Sequence, residues 1–179
     1  GQKQEIIIPR KTVLECQHLL SDGDDPLEVS LSGNQIKLSF GDIELISKLV
    51  EGKFPDYQRV IPKGHKNTLV VGRETLQAAL QRAAILTTEK FKGVRFSLSS
   101  SKITIQSTNA EQEEAQEEIE TKYDGEPVEI GFNVTYLLDV LANIKNNEIQ
   151  ISLGDANSSA IITLPGSESF KYVVMPMRI

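Results

Sequence analysis

A chain of 179 residues can bury the core of one domain, or of one domain and part of another. Its 39% hydrophobic and 25% charged residues exclude wholesale disorder and a fibrous repeat. A net charge of −6 excludes a protein that holds nucleic acid by its overall field, while leaving room for local basic faces. No run approaches the ~20 apolar residues of a membrane helix, and no basic-then-apolar leader opens the chain. The sequence therefore reads as cytoplasmic, with no membrane partner. A single cysteine, Cys16, excludes an internal disulfide and a cysteine-rich metal site. Set among Val13, Leu14, Leu19 and Leu20, it reads as a small buried apolar residue. The start on Gly1, without an initiator methionine, reads as a fragment.

In chain order, three short β-rich runs begin about 60 residues apart: EIIIP from Glu5, TLVVG from Thr68 and VEIGFN from Val128. A helical pattern follows each at once. In the first unit Pro9 suits the opening turn, where its missing N–H is not needed. Val13, Cys16 and Leu20, joined by Leu14 and Leu19, form an apolar stripe, with Lys11, Glu15 and His18 on the opposite face. SDGDDP stops the helix, and strands are expected at 27–32, 36–40 and 43–50, separated by SGN and GD. The second unit predicts a helix from about Arg73 to Leu86, strands at 94–99 and 102–108, and a segment ending near Tyr123. In the third, Asn133 caps a helix that buries Val134, Leu137, Leu138, Val140 and Leu141, before strands at 148–154, 159–165 and 170–177. Each unit is one helix on a small antiparallel sheet, an α+β arrangement. Two such units make a domain, so three make one and a half.

The stretch Glu51 to Lys66, rich in proline, glycine and charge, reads as an inter-domain connector. Its Phe54, Tyr57, Val60 and Ile61 are too apolar for a free tether. The run EQEEAQEEIE, Glu111 to Glu120, carries six glutamates and no base, and reads either as a solvated edge or as a docking surface for a basic partner. No HExxH, Walker loop, GxSxG or dinucleotide fingerprint occurs. Neither His18 nor His65 has a companion at ligand spacing, and both read as surface residues. A binding module with no catalytic residue, metal or cofactor is the expectation.

FPDYQRVIP (Phe54 to Pro62), AAILTTEKFKGVRF (Ala83 to Phe96), NAEQEEAQEE (Asn109 to Glu118), GFNVTYLLDVL (Gly131 to Leu141) and YVVMPMRI (Tyr172 to Ile179) together resemble the bacterial sliding-clamp family, over essentially the whole chain. The resemblance implies the DNA-clamp fold. It also implies a head-to-tail homodimer of three-domain subunits that closes around duplex DNA and tethers the replicative polymerase. Clamp loader and other proteins bearing a clamp-binding motif are further implied partners. Residues 1–50 would be the second half of the middle domain, 51–66 the connector and 67–179 the complete C-terminal domain. The alternative is an isolated peptide-binding domain with no DNA role.

By the same resemblance, partner peptides would sit against Pro55, Arg59, Val60, Asn133, Tyr136, Ser159, Val173, Met175, Pro176, Met177 and Arg178. Methionine suits a shared groove, because its unbranched thioether side chain repacks around different ligands; read without the family, Met175 and Met177 are core filling. Ile85, Leu86, Glu111, Glu113, Glu114, Glu117 and Glu118 would form the ring-dimer interface, where Gln116 stands in place of an expected glutamate. Arg10 and Lys11 would face the DNA, a ring needing only weak phosphate attraction. Part of the groove wall belongs to the missing half-domain, so weak peptide binding and no ring are expected of this chain. Without its pseudo-symmetric mate, the stripe of Val13, Cys16 and Leu20 favours association through residues 1–50.

Overall fold

The computed structural model describes all residues except 1–3, 21–25, 54–60, 62–63 and 66, so Pro55, Arg59 and Val60 lie outside the described residues. The chain divides into two compact units, residues 1–56 and 57–179.

In residues 1–56, helix α1 (Arg10–Leu19) is followed by strands β1 (Glu28–Ser32), β2 (Gln35–Phe40) and β3 (Ile43–Lys48), an antiparallel sheet in the order β1-β2-β3. Pro9 precedes the first helical residue as N-cap and offers no side-chain cap. The inward positions of β2, Ile36 and Leu38, are buried at 2% and 6% exposure. The helix behaves otherwise than its stripe predicts. Thr12 is its buried residue, its hydroxyl sharing a 2.6 Å hydrogen bond with that of Ser47, while Val13, Leu14, Leu19 and Leu20 are exposed and Cys16 is half-buried. The run Glu5–Pro9 also forms no strand, although it is rich in β-branched residues. The reason is visible in the second unit, where the equivalent strands find their partners in a neighbouring repeat.

Residues 57–179 contain two copies of the repeat. The first is β4 (Asn67–Gly72), α2 (Arg73–Ala84), β5 (Gly93–Ser99), β6 (Lys102–Thr108) and β7 (Glu114–Glu120). The second is β8 (Val128–Asn133), α3 (Val134–Ala142), β9 (Glu148–Leu153), β10 (Ala160–Leu164) and β11 (Ser167–Val174). The copies exchange their first strands. β4 pairs with β9 and β8 with β5, giving four-stranded sheets β11-β10-β9-β4 and β7-β6-β5-β8. A strand run in this fold is thus a strand only when another repeat supplies the opposite edge, and among the described residues no ladder forms along residues 6–8.

The period-2 burial of β5, β6 and β9 places Val94, Phe96, Leu98, Ile103, Ile105, Ile149, Ile151 and Leu153 on inner faces. Over them lie Leu76, Ala79, Leu80 and Ala83 of α2 and Val134, Leu137, Val140 and Leu141 of α3, with Leu138 partly buried. Phe96 and Phe132 meet edge to face, ring centroids 5.5 Å apart. Burying each large apolar side chain stabilises the unit by about 1.5–3 kcal/mol.

Candidate functional site: tail, helix start and acidic edge

The chain end is held in place. After β11 it turns through Met175 and Pro176, and the Met177 N–H donates to the carbonyl of Gly131 in β8 at 2.9 Å, an isolated antiparallel bridge. A Cβ at position 131 would lie 2.4 Å from the Met177 carbonyl oxygen and 2.5 Å from Cγ1 of Ile179, so only glycine admits the tail this closely. Gly131 lies two residues before Asn133, the N-cap of α3, whose Oδ1 accepts from the N–H of Thr135 at 2.9 Å and of Tyr136 at 3.4 Å. The bridge therefore sets the methionine tail beside the start of α3.

Of the residues expected in a peptide groove, Asn133, Tyr136, Ser159, Val173, Met175, Pro176, Met177 and Arg178 fall in this region. Tyr136 and Met175 are 58% and 60% exposed, an aromatic and a thioether presented to solvent beside a fixed backbone. Buried Ser159 donates its hydroxyl to the sulfur of Met175 at 2.9 Å, which steers a flexible side chain from below. Ile161 pairs with Val173 and Ala160 with Val174, so β10 and β11 hold the two sides of that contact in register.

Two contributors lie outside sequence reasoning. Gly131 carries the tail, and its signal was present as a glycine inside a strand pattern. His65, expected at the surface, is half-buried: its Nε2 lies 2.8 Å from the Ser159 carbonyl oxygen, and its ring sits where a Cβ on Gly154 would be. It ties the end of the connector to the residue beneath Met175. His18 is exposed as expected.

A second surface lies along β7, the end strand of its sheet, whose outer edge has no ladder partner among the described residues. Ile119 points into the core at 6% exposure, while Glu114, Gln116, Glu118 and Glu120 are exposed along the strand. Glu117 accepts two hydrogen bonds from Arg82, at 2.9 and 2.7 Å, and these hold its carboxyl below the usual carboxylate range. Lys102, 2.9 Å from Glu118, does the same there. Asn109 shapes the preceding turn: its Oδ1 accepts from the N–H of Glu111 and Glu113, and its Nδ2 donates to the Glu113 carboxylate at 2.6 Å. Ile85, just past α2, is 78% exposed, and Leu86 is half-buried. The edge thus offers carboxylates beside an apolar knob, with Glu117 and Glu118 already engaged by the chain's own cations. At the start of α1, Arg10 and Lys11 are both exposed. Among the described residues, no group of His, Cys, Asp or Glu is placed to hold a metal ion, and no helix is long and apolar enough to cross a membrane.

A helix-on-sheet repeat whose copies trade first strands is the architecture of a DNA clamp. The crystal structure of the DNA polymerase III subunit beta from Pseudomonas aeruginosa superposes with a TM-score of 0.91 at 44% identity, covering 100% of this chain and 49% of that one. The chain belongs to the DNA polymerase III beta subunit family, the beta sliding clamps: residues 1–56 match its central domain and 58–178 its C-terminal domain. It is 45% identical to the beta sliding clamp of Pseudomonas putida over 177 residues, and 47% identical to that of Escherichia coli K12 over 174. These alignments cover 99% and 97% of this chain and 48% of each relative, so the chain spans about half their length. A Pseudomonas aeruginosa sliding clamp bound to griselimycin aligns with a TM-score of 0.85 at 45% identity, over 97% of this chain and 47% of that one.

Proposed function

We propose that the chain serves as part of a bacterial replication processivity factor. In a full-length, head-to-tail dimer it encircles duplex DNA and docks polymerase, clamp loader and other motif-bearing proteins. It performs no catalysis itself and works in the cytoplasm. Residues 1–50 are the second half of the middle domain, 51–66 the connector and 67–179 the C-terminal domain. The observation that carries the docking role is the tail bridge, which sets Met175 and Met177 beside Asn133 and Tyr136. Met175 and Tyr136 offer adaptable, exposed apolar contact over a backbone already ordered, so little entropy is lost when a short apolar-anchored segment binds.

The ring role is supported by the glutamate-bearing outer edge of β7, which has no ladder partner among the described residues, with Ile85 beside it. Opposite charge on the facing subunit would set partner and register more than affinity. Arg10 and Lys11 supply local positive charge toward DNA in a chain of net charge −6, as topological holding requires no tight phosphate contact. A fluorescence anisotropy titration with a glutamine-anchored peptide tests the groove, using this chain and a full-length clamp that includes it, each with and without residues 175–179. Deletion should abolish binding in the full-length protein. Unchanged binding there would overturn the tail assignment.

A further inference from the structure

One end of the sheet β11-β10-β9-β4 carries a line of contacts that crosses all four strands. β4 enters the sheet with Asn67 opposite Leu153, the last residue of β9. Two residues before β4, the ring of His65 lies over Gly154, where a Cβ would come within 2.9 Å of its Cε1 and Nδ1. The glycine is therefore the seat of the ring. From this seat Nε2 reaches 2.8 Å to the carbonyl oxygen of Ser159, one residue before β10. A carbonyl only accepts, so Nε2 carries the proton and donates. Inside the β9–β10 turn, Asp155 accepts from the N–H of Asn157 at 2.9 Å and from the hydroxyl of Ser158 at 2.8 Å. These bonds order the turn as far as Ser158, and His65 extends the hold to Ser159. On the other side, Ser159 stands just before the ladder that pairs Ala160 with Val174, and Met175 just after it. Across that end the Ser159 hydroxyl donates to the Met175 sulfur at 2.9 Å.

Methionine is the flexible member of this line. Its unbranched side chain has many rotamers of similar energy, and ordering one of them costs entropy when a ligand binds. The contact from the Ser159 hydroxyl selects a rotamer in advance, but only while Ser159 itself stays in place. We propose that His65 is a positioning residue for partner docking. By fixing the Ser159 carbonyl it keeps the Ser159 hydroxyl on the Met175 sulfur, and so presets the side chain that an apolar anchor of a partner segment meets. The proposal rests on the groove reading above and deepens it. His65 acts through Ser159 and makes no contact with the partner. Gly154 shares the task, because a side chain there would evict the ring from its seat. The role lies wholly within residues 57–179, since every member of the line belongs to that compact unit.

Fluorescence anisotropy with the glutamine-anchored peptide, on a full-length clamp that includes this chain, tests the role. His65→Phe keeps a ring over Gly154 and removes the donor, whereas His65→Gln returns an amide N–H to about the place of Nε2. The phenylalanine variant should raise Kd about three- to tenfold, the worth of one hydrogen bond, and the glutamine variant should recover most of that loss. Gly154→Ala, whose Cβ displaces the ring, should match His65→Phe. In a Met175→Leu background, which keeps an apolar side chain without the sulfur, His65→Phe should add no further loss. That coupling is one a purely fold-stabilising histidine would not show. An unchanged Kd in His65→Phe, the same loss in both backgrounds, or a glutamine variant no better than phenylalanine overturns the proposal. Deleting residues 175–179 separates the two readings. If deletion abolishes binding and His65→Phe does not weaken it, the groove stands and the role of His65 falls. If deletion leaves binding unchanged, the groove reading falls and this one falls with it.

Discussion

Replacing Gly131 with alanine should detach the chain end without unfolding the domain. The new Cβ would lie 2.4 Å from the Met177 carbonyl oxygen, a backbone atom that no rotamer change can move, and 2.5 Å from Cγ1 of Ile179. The tail must lift from β8. It would lose the Met177-to-Gly131 hydrogen bond, about 1 kcal/mol. It would also lose the packing of Ile179, which at 45% exposure is about half the value of a buried side chain, another ~1 kcal/mol. Alanine in a strand recovers up to ~1 kcal/mol over glycine, so the net cost is about 1–2 kcal/mol. For a unit of this size that lowers Tm by roughly 3–8 °C. The more specific readout is amide hydrogen exchange at Met177, whose protection should vanish while that of Ile105 and Ile151 persists. Removing residues 177–179 first should abolish the cost, leaving only the alanine gain. Gly93→Ala is the milder control, because its Cβ meets the ring end of Phe91 at 2.9 Å, and that side chain can rotate. A Gly131→Ala protein with a protected Met177 amide and an unchanged Tm would refute the latch.

Asn133→Ala removes the acceptor for two helix N–H groups and should cost about 1 kcal/mol in denaturant unfolding, with a loosened Tyr136 backbone by hydrogen exchange. Glu117 titrates below its ordinary value of 4.5 because of Arg82, so its stabilisation is fully present above pH 4.5 and lost as pH falls through the lower folded value. Glu117→Gln should therefore melt below the parent at pH 7 and converge with it in acid, once the pH has fallen through the lowered folded value. Leu80, fully buried at 0% exposure on α2, should cost about 2–5 kcal/mol when replaced by alanine, measured by thermal unfolding.

The helices and hairpins of this fold were legible because each rests on local chemistry. Apolar spacing marked the inner faces of α2 and α3, and Asn133 is the cap that its place before Val134 implied. What remained hidden depends on pairing between repeats. Nothing inside TLVVG or VEIGFN says that each strand leaves its own repeat, and nothing inside EIIIP says that residues 6–8 will form no strand. The α1 stripe shows the same limit. Its 3.6 period is sound, yet periodicity gives only the side that wants burial and not whether a neighbour exists to cover it. At the candidate site, the resemblance carried Met175, Tyr136 and Ser159, whereas Gly131 and His65 emerged from close approaches that no spacing rule counts.

In every repeat the carbonyl three residues before the helix is sealed by a hydrogen bond from the segment that leaves the third sheet strand, yet only one of the three occurrences needs a glycine. At Val70 the seal comes from the Thr121 hydroxyl, and at Ile7 from the Val50 N–H; each carbonyl accepts its bond while its residue keeps a full side chain. At Gly131 the sealing segment continues: after Met177 donates, Arg178 and Ile179 run on over the strand, and Ile179 reaches toward Gly93 of β5 as well. The demand for glycine thus arises from the Met177 carbonyl, which turns back against the strand, and from Ile179 beyond it. The hydrogen bond alone would tolerate a side chain, as the other repeats demonstrate. Met177 and Ile179 together hold this segment against β8, two residues before the cap of α3.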